Sequence, residues 1–201
     1  MFGWGPLVHK KGDLLGASKP TPGKETEFMR IFTALALVAL SWSTTAQAAD
    51  RKIDEFYGRW LGTGEATQGQ AKTQSRDAEV IIEKAADGFK ISWTTMSSDV
   101  TSPTKSKVKA AELSFKPGGK PGFFIDLKSG NALDGKKTTW ARISGDALII
   151  NQLVVTDDGH WDVSVYERTL KDKDNMELFF TRFTDGKIAR QASLKMRRAT
   201  Q

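Results

Sequence analysis

From Phe56 onward, apolar and polar residues alternate in short runs, and each run closes on Gly, Pro, Asn or Asp. Period-two alternation marks a strand with one buried face. Turn residues recurring at roughly every eight to twelve positions mark strands joined by tight connections. The pattern predicts strands over 58–67, 76–84, 88–96, 105–115, 121–128, 137–144, 147–156, 160–170, 176–184 and 187–198. The one helical candidate is a turn over Lys52–Phe56. No strand–helix–strand alternation is present, which excludes a parallel sheet. The expected fold is all-β: an antiparallel up-and-down meander that closes into an 8–10-stranded barrel behind a short N-terminal helical turn.

Four connections read as two-residue turns: Asp87-Gly88, Gly145-Asp146, Asp158-Gly159 and Asp185-Gly186. Gly beside Asp supplies the positive φ that such turns need. Pairing outward from each turn sets Ile82 opposite Trp93, Ala141 opposite Ile150, Gln152 opposite Val165, Thr156 opposite Trp161 and Thr181 opposite Arg190. Strand side chains alternate between faces, so each register also assigns an inside. The predicted interior is Val80, Ile82, Phe89, Ile91, Trp93, Phe123, Ile125, Leu127, Ile143, Leu148, Ile150, Val154, Trp161, Val163, Val165, Phe179, Phe183, Ile188, Leu194 and Met196. Four polar residues fall among them: Thr139, Gln152, Thr181 and Arg190. A buried polar group without a partner costs about 1–3 kcal/mol. These four must therefore bond one another, reach an open end, or meet water or a ligand.

A barrel of this size either fills with side chains or encloses one small ligand. The candidate interior site is Trp60, Trp93, Phe123, Gln152, Trp161, Phe179, Thr181 and Arg190. The aromatics suit a hydrophobic or amphipathic molecule, and Arg190 with Thr181 suits a carboxylate or phosphate on it. The bland alternative is a packed core with Arg190 reaching an end. The same registers align Trp140, Asn151 and Tyr166 on the outside, beside a row of Arg142, Ile149 and Arg168. Trp and Tyr next to Arg is the composition of interaction hot spots. That face is the candidate surface for an envelope protein partner or a second copy of the chain. Its alternative is a solvent-facing ladder that only stabilises the sheet.

The first fifty residues read differently. Arg30, the apolar run Ile31–Leu40 and the Ala46-Gln47-Ala48 site have the order of a bacterial secretory signal. The run is too short to cross a bilayer about 30 Å thick as a helix. The expected organisation is 1–28 as a disordered extension or mis-assigned start, 29–48 as a cleaved signal peptide, and 49–201 as one barrel domain. The mature form is expected to be periplasmic or secreted, with no integral membrane span.

Of the 201 residues, 39% are hydrophobic and 27% charged, and none is cysteine. That removes disulfides, thiolate catalysis and cysteine metal sites. A formal charge of +6 is spread along the chain. No dense basic cluster is interleaved with exposed aromatics, which argues against nucleic acid. His9 lies before the signal, so His160 alone remains for mature-domain chemistry. Its neighbours Asp157 and Asp158 form a polar turn without convergent ligands. No nucleophile–base motif or phosphate loop is present. No catalytic residue, metal or cofactor is assigned, and the chain is not expected to be an enzyme.

Gly58-Arg59-Trp60, at the head of the first strand and after a helical turn, resembles the G-x-W of the calycin superfamily: lipocalins, fatty-acid-binding proteins and nitrobindin-like barrels. The resemblance implies that Trp60 closes one barrel end beneath an Arg from the last strand, for which Arg190, Arg197 and Arg198 all qualify. It also implies an internal ligand. The 67–75 connection is too short for the helical lid of fatty-acid-binding proteins, and His160 in a hairpin turn argues against a nitrobindin-like haem ligand. N-terminal sequencing of the protein recovered from an exporting bacterium is expected to begin at Ala49. A sequence beginning at Met1 or Met29 would refute the cleaved signal.

Overall fold

The computed structural model describes residues 49–68, 72–99 and 102–200. The predicted extension and signal, 1–28 and 29–48, lie outside the described residues. Ten antiparallel strands follow a 3-10 turn at Ile53–Phe56: β1 (Gly58–Gln68), β2 (Lys72–Ala85), β3 (Gly88–Asp99), β4 (Ser102–Pro117), β5 (Phe123–Asp126), β6 (Thr138–Ser144), β7 (Ala147–Val155), β8 (Trp161–Leu170), β9 (Asn175–Thr184) and β10 (Lys187–Arg198). Each strand pairs with its sequence neighbours, and β1 pairs with β10, so the meander closes into a barrel. Closure satisfies both terminal strands, which would otherwise be free edges.

One end is packed solid. Trp60 is fully buried there with Phe56, Val80, Ile82, Phe89, Ile91, Leu148, Met176 and Met196. Phe89 stacks on Phe115 at 4.7 Å and meets Phe124 edge-on at 5.1 Å. The 3-10 turn is the plug: Trp60 Nε1 donates to Phe56 O at 3.0 Å. Arg198, from the last strand, lies over the Trp60 ring at 4.1 Å. Its guanidinium donates to the carbonyls of Tyr57, Glu55 (3.0 Å) and Lys173 (2.7 Å). Of the three arginines that qualified, the geometry selects Arg198. Curvature here requires small residues: a Cβ on Gly64 would sit 1.9 Å from Ser193 O, which only Gly avoids.

The opposite end is open on one side. β5 is four residues long and pairs with β4 only at Phe115–Pro117 and with β6 only at Arg142–Trp140. No described strand lies along the outer edge of β4 between Ser106 and Leu113. The wall therefore has a lateral gap between β4 and the β6–β8 side.

Two predicted registers hold in phase. The β6–β7 hairpin pairs Ala141 with Ile150 and Ile143 with Leu148, as expected. The β2–β3 pairing is displaced by two residues, with Val80 opposite Trp93 and Ile82 opposite Ile91. An even step leaves every side chain on its face.

Two registers do not hold. The β7–β8 connection is a five-residue loop over Thr156–His160, closed by Thr156 N donating to His160 O at 2.8 Å. Gln152 therefore faces Ser164 and Val155 faces Trp161. That one-residue slip turns all of β8 over. Trp161, Val163 and Val165 point outward, and Asp162, Ser164, Tyr166 and Arg168 point inward. The β9–β10 turn begins as predicted, with Phe183 opposite Ile188, but a bulge between Ile188 and Arg190 then shifts the phase. A bulge adds one unpaired residue to one strand. Thr181 pairs with Gln191 rather than Arg190. Phe179, Thr181, Phe183 and Ile188 lie outside, while Leu178, Phe180 and Arg182 lie inside. β5 is also inverted: Phe123 and Ile125 are 40% and 42% exposed, while Phe124 packs against the core. Leu127, just after β5, is likewise exposed.

Trp60→Ala is expected to lower unfolding free energy by about 3–5 kcal/mol. Arg198→Lys, which keeps the charge but loses the planar fork, should cost about 1–2 kcal/mol. Urea denaturation checks both. Unchanged midpoints would mean the plug does not hold the closed end.

Candidate functional site

Above the packed end the barrel encloses a cavity of about 580 Å³. Its floor is apolar: Ala78, Val80, Leu113, Leu178 and Leu194 line it. Three rings project into it. Trp93 of β3 meets Tyr166 of β8 across the lumen, with centroids 5.4 Å apart, and Tyr166 meets Phe180 of the adjacent β9 at 4.7 Å. The cavity reaches the lateral gap, where Ala110, Glu112, Lys128 and Lys137 line it.

The lining is strongly cationic. Arg76, Lys109, Lys128, Lys137, Arg168, Arg182 and Arg190 face only three carboxylates: Glu112, Asp126 and Asp162. All three carboxylates are engaged, Glu112 with Lys90 at 3.9 Å. Asp162 accepts from Arg182, and Asp126 accepts from the Ser114 amide at 3.3 Å.

Arg168 is the deepest of these charges, 1% exposed. Its guanidinium lies 5.7 Å from the Trp93 ring and 5.6 Å from the Tyr166 ring. Cation–π contact of this kind supplies part of what water would. Yet Nε and Nη1 have no hydrogen-bond partner among the described residues. Burial pushes the guanidinium down to about 10, against a small opposing effect of Tyr166. At neutral pH it remains protonated. Burial also pushes the Tyr166 hydroxyl upward, so the phenol stays neutral.

Nearer the mouth, Arg76 and Arg190 repeat the pattern. Each has a buried Nε without a partner. Arg190 Nη2 donates to Gln74 Oε1 at 3.2 Å, a neutral acceptor. Burial lowers the Arg76 guanidinium, and the charge of Arg190 lowers it further. The Lys109 ammonium is lowered first by burial, then by Arg190, Lys107, Arg76 and Arg182.

Of the predicted interior residues, Trp93, Gln152 and Arg190 line this cavity. Trp60 points inward but belongs to the packed end. Phe123, Trp161, Phe179 and Thr181 are on the outside, for the register reasons given above. Trp161 and Phe179 are 38% and 45% exposed, while Thr181 is covered by its neighbours on the outer wall. Of the predicted outer residues, Trp140, Asn151 and Arg142 are outside, with Trp140 opposite Asn151 and Arg142 opposite Ile149. Tyr166 and Arg168 are inside, their places in the two outer rows taken by Val165 and Glu167. The aromatic–arginine pair was visible in the sequence, on the wrong side of the wall.

Arg76, Lys109, Phe180, Asp162 and Arg182 were not anticipated. Arg76 was legible, since it shares phase with Val80 and Ile82 on β2. Phe180 and Arg182 were hidden by the β10 bulge. His160 stands outside the cavity, with Nδ1 2.6 Å from Asp185 Oδ2, a contact that raises the imidazole pKa and links two exposed turns. Among the described residues, no cluster of His, Asp and Glu is arranged to hold a metal, and no helix is long and apolar enough to cross a membrane.

No protein-family model matches the chain, and no curated protein matches it by sequence. Solved structures do resemble it. An S-type phycobiliprotein lyase, CPES from Guillardia theta, aligns at 12% identity over 74% of this chain and 90% of its own, with a TM-score of 0.43. A protein of unknown function of the DUF3598 family, from Nostoc punctiforme, aligns at 11% identity over 79% of this chain with a TM-score of 0.50. The aligned region is 53% of that protein. The likeness is one of fold alone.

Replacing Arg168 with Met fills similar space without an unpaired buried charge. Ligand-free Arg168→Met is expected to be more stable than wild type by about 1–4 kcal/mol. Thermal melts read this directly. A large loss of stability would make Arg168 a structural residue.

Proposed function

We propose that the barrel binds one amphipathic small molecule through an acidic group, and that it acts by binding rather than by catalysis. The observation that carries this reading is Arg168: a charged guanidinium buried beside a cavity, against two rings that touch each other, with two nitrogens unpartnered. Leaving such a charge unpaired costs several kcal/mol. A carboxylate or phosphate in the cavity would supply the missing negative charge and a charge-assisted acceptor. The three rings and the apolar floor would take the rest of the molecule. The order of charge, apolar run and cleavage motif in 29–48 supports an extracytoplasmic place of action.

A second reading uses the outer wall. Phe123 and Ile125 are exposed there on β5, paired with Arg142 and Trp140 of β6. Exposed apolar groups gathered on one face mark an interaction surface. Its occupant in this reading is a second copy of the chain.

Native mass spectrometry of the purified protein separates the two. The expected spectrum is a monomer with an added mass that disappears on denaturation and is absent from Arg168→Gln. A bare monomer refutes the ligand, and a bare dimer favours the outer wall.

A further inference from the structure

The cavity has two separate cationic positions rather than one. Arg168 stands on β8. Arg76 stands on β2, and β9, β10 and β1 intervene, so the two are four strand spacings of about 4.8 Å apart along the wall. In a ten-stranded barrel that places them on facing sides. Arg190, on β10, belongs with Arg76: its Nη2 reaches Gln74 Oε1 at 3.2 Å, and Gln74 stands two residues before Arg76 on the same face of β2. Arg168 responds only to burial and Tyr166. One compact anion at Arg168 therefore leaves the Arg76–Arg190 pair unanswered. That pair holds two like charges together with buried, unpartnered Nε atoms, an arrangement that repels itself when empty. Tyr166 sits between the two positions. It packs on Phe180 beside it and on Trp93 across the lumen, so aromatic surface extends from the Arg168 side toward the facing side.

We infer that the ligand is a dianion with an aromatic or otherwise flat apolar body, one acidic group meeting Arg168 and the other meeting Arg76 and Arg190 across the cavity. This rests on the ligand-binding reading above and narrows its chemistry. The body lies against Trp93, Tyr166 and Phe180, where ring stacking favours flat over flexible chains. Both acids are engaged at once, so the second binds with the first already holding it in place, and affinity rises without new surface.

Titration of the full-chain protein with biphenyl-4,4'-dicarboxylate, and separately with its monoamide, tests the inference by isothermal calorimetry. The two probes share a body and differ by one charge. The dicarboxylate is expected to bind at least about tenfold more tightly, as a charge-assisted contact would require. Arg168→Gln and the double variant Arg76→Gln/Arg190→Gln should each reduce the dicarboxylate to the monoamide's affinity. Arg168→Lys, which keeps the charge, should retain part of the preference, and near-ultraviolet circular dichroism confirms that each variant is folded. If wild type binds both probes equally, Arg168→Gln abolishes both and the double variant changes neither, the ligand is a monoanion and this inference fails while the ligand-binding reading stands. If neither probe binds and the native spectrum is bare, both fail together.

Discussion

A guanidinium held inside a protein without an anion has to be tolerated by everything around it. Arg168 is in that position, and much of the upper barrel is arranged about it. Trp93 and Tyr166 meet beside its charge, and the volume next to it is left open rather than filled. Packing a side chain into that space would strand the charge completely. The cavity and the arginine are therefore two aspects of one feature. An interior built for stability alone would have an aliphatic residue at this position.

The solid end makes the open end possible. Ten strands closed only by their hydrogen bonds would be free to breathe at both ends. Phe56, Trp60 and the fork of Arg198 fix one end by packing, stacking and three carbonyl contacts. The burial of Ile82, Phe89, Ile91, Leu148 and Met196 beneath the cavity supplies the apolar driving force. The two arginines contrast sharply. Arg198 satisfies its donors on backbone carbonyls at the rim, where solvent helps; Arg168 and the Arg76–Arg190 pair do not.

The same division explains an unusual polarity. On β8 and β9 the apolar residues Trp161, Val163, Phe179 and Phe183 face outward, and Asp162, Tyr166, Arg168 and Arg182 face inward. An antiparallel strand normally keeps its apolar face toward the core. Here the interior over the open half of β8 is a charged cavity, so alternation persists there while its sense reverses; nearer the closed end Leu170, Met176 and Leu178 face inward as usual. Pairing rules alone place apolar residues on one side of a strand and do not say which side is inside.

The alternation along 58–198, the turns at Gly145-Asp146 and Asp185-Gly186 and the absence of helical periods determined an antiparallel β-meander with little else in it. Phase was legible where a shortest-form turn led into an unbulged pair, as between β6 and β7, or where the register differed by an even step, as between β2 and β3. Trp60 was identifiable as a closing residue from Gly58-Arg59-Trp60 alone. The partner Arg198 was not, because three arginines lay within reach and only the β1–β10 register, with Arg198 opposite Trp60, selects one. Tertiary structure decided the site. A five-residue loop at Thr156–His160 and one extra residue near Ala189 each shift phase by one, and a single step exchanges the two faces of a strand. Such steps are set by how loop and bulge close in three dimensions, which residue type barely constrains. They moved Arg168 and Tyr166 from the surface to the interior and brought them to Trp93, a residue on a strand that is distant in sequence.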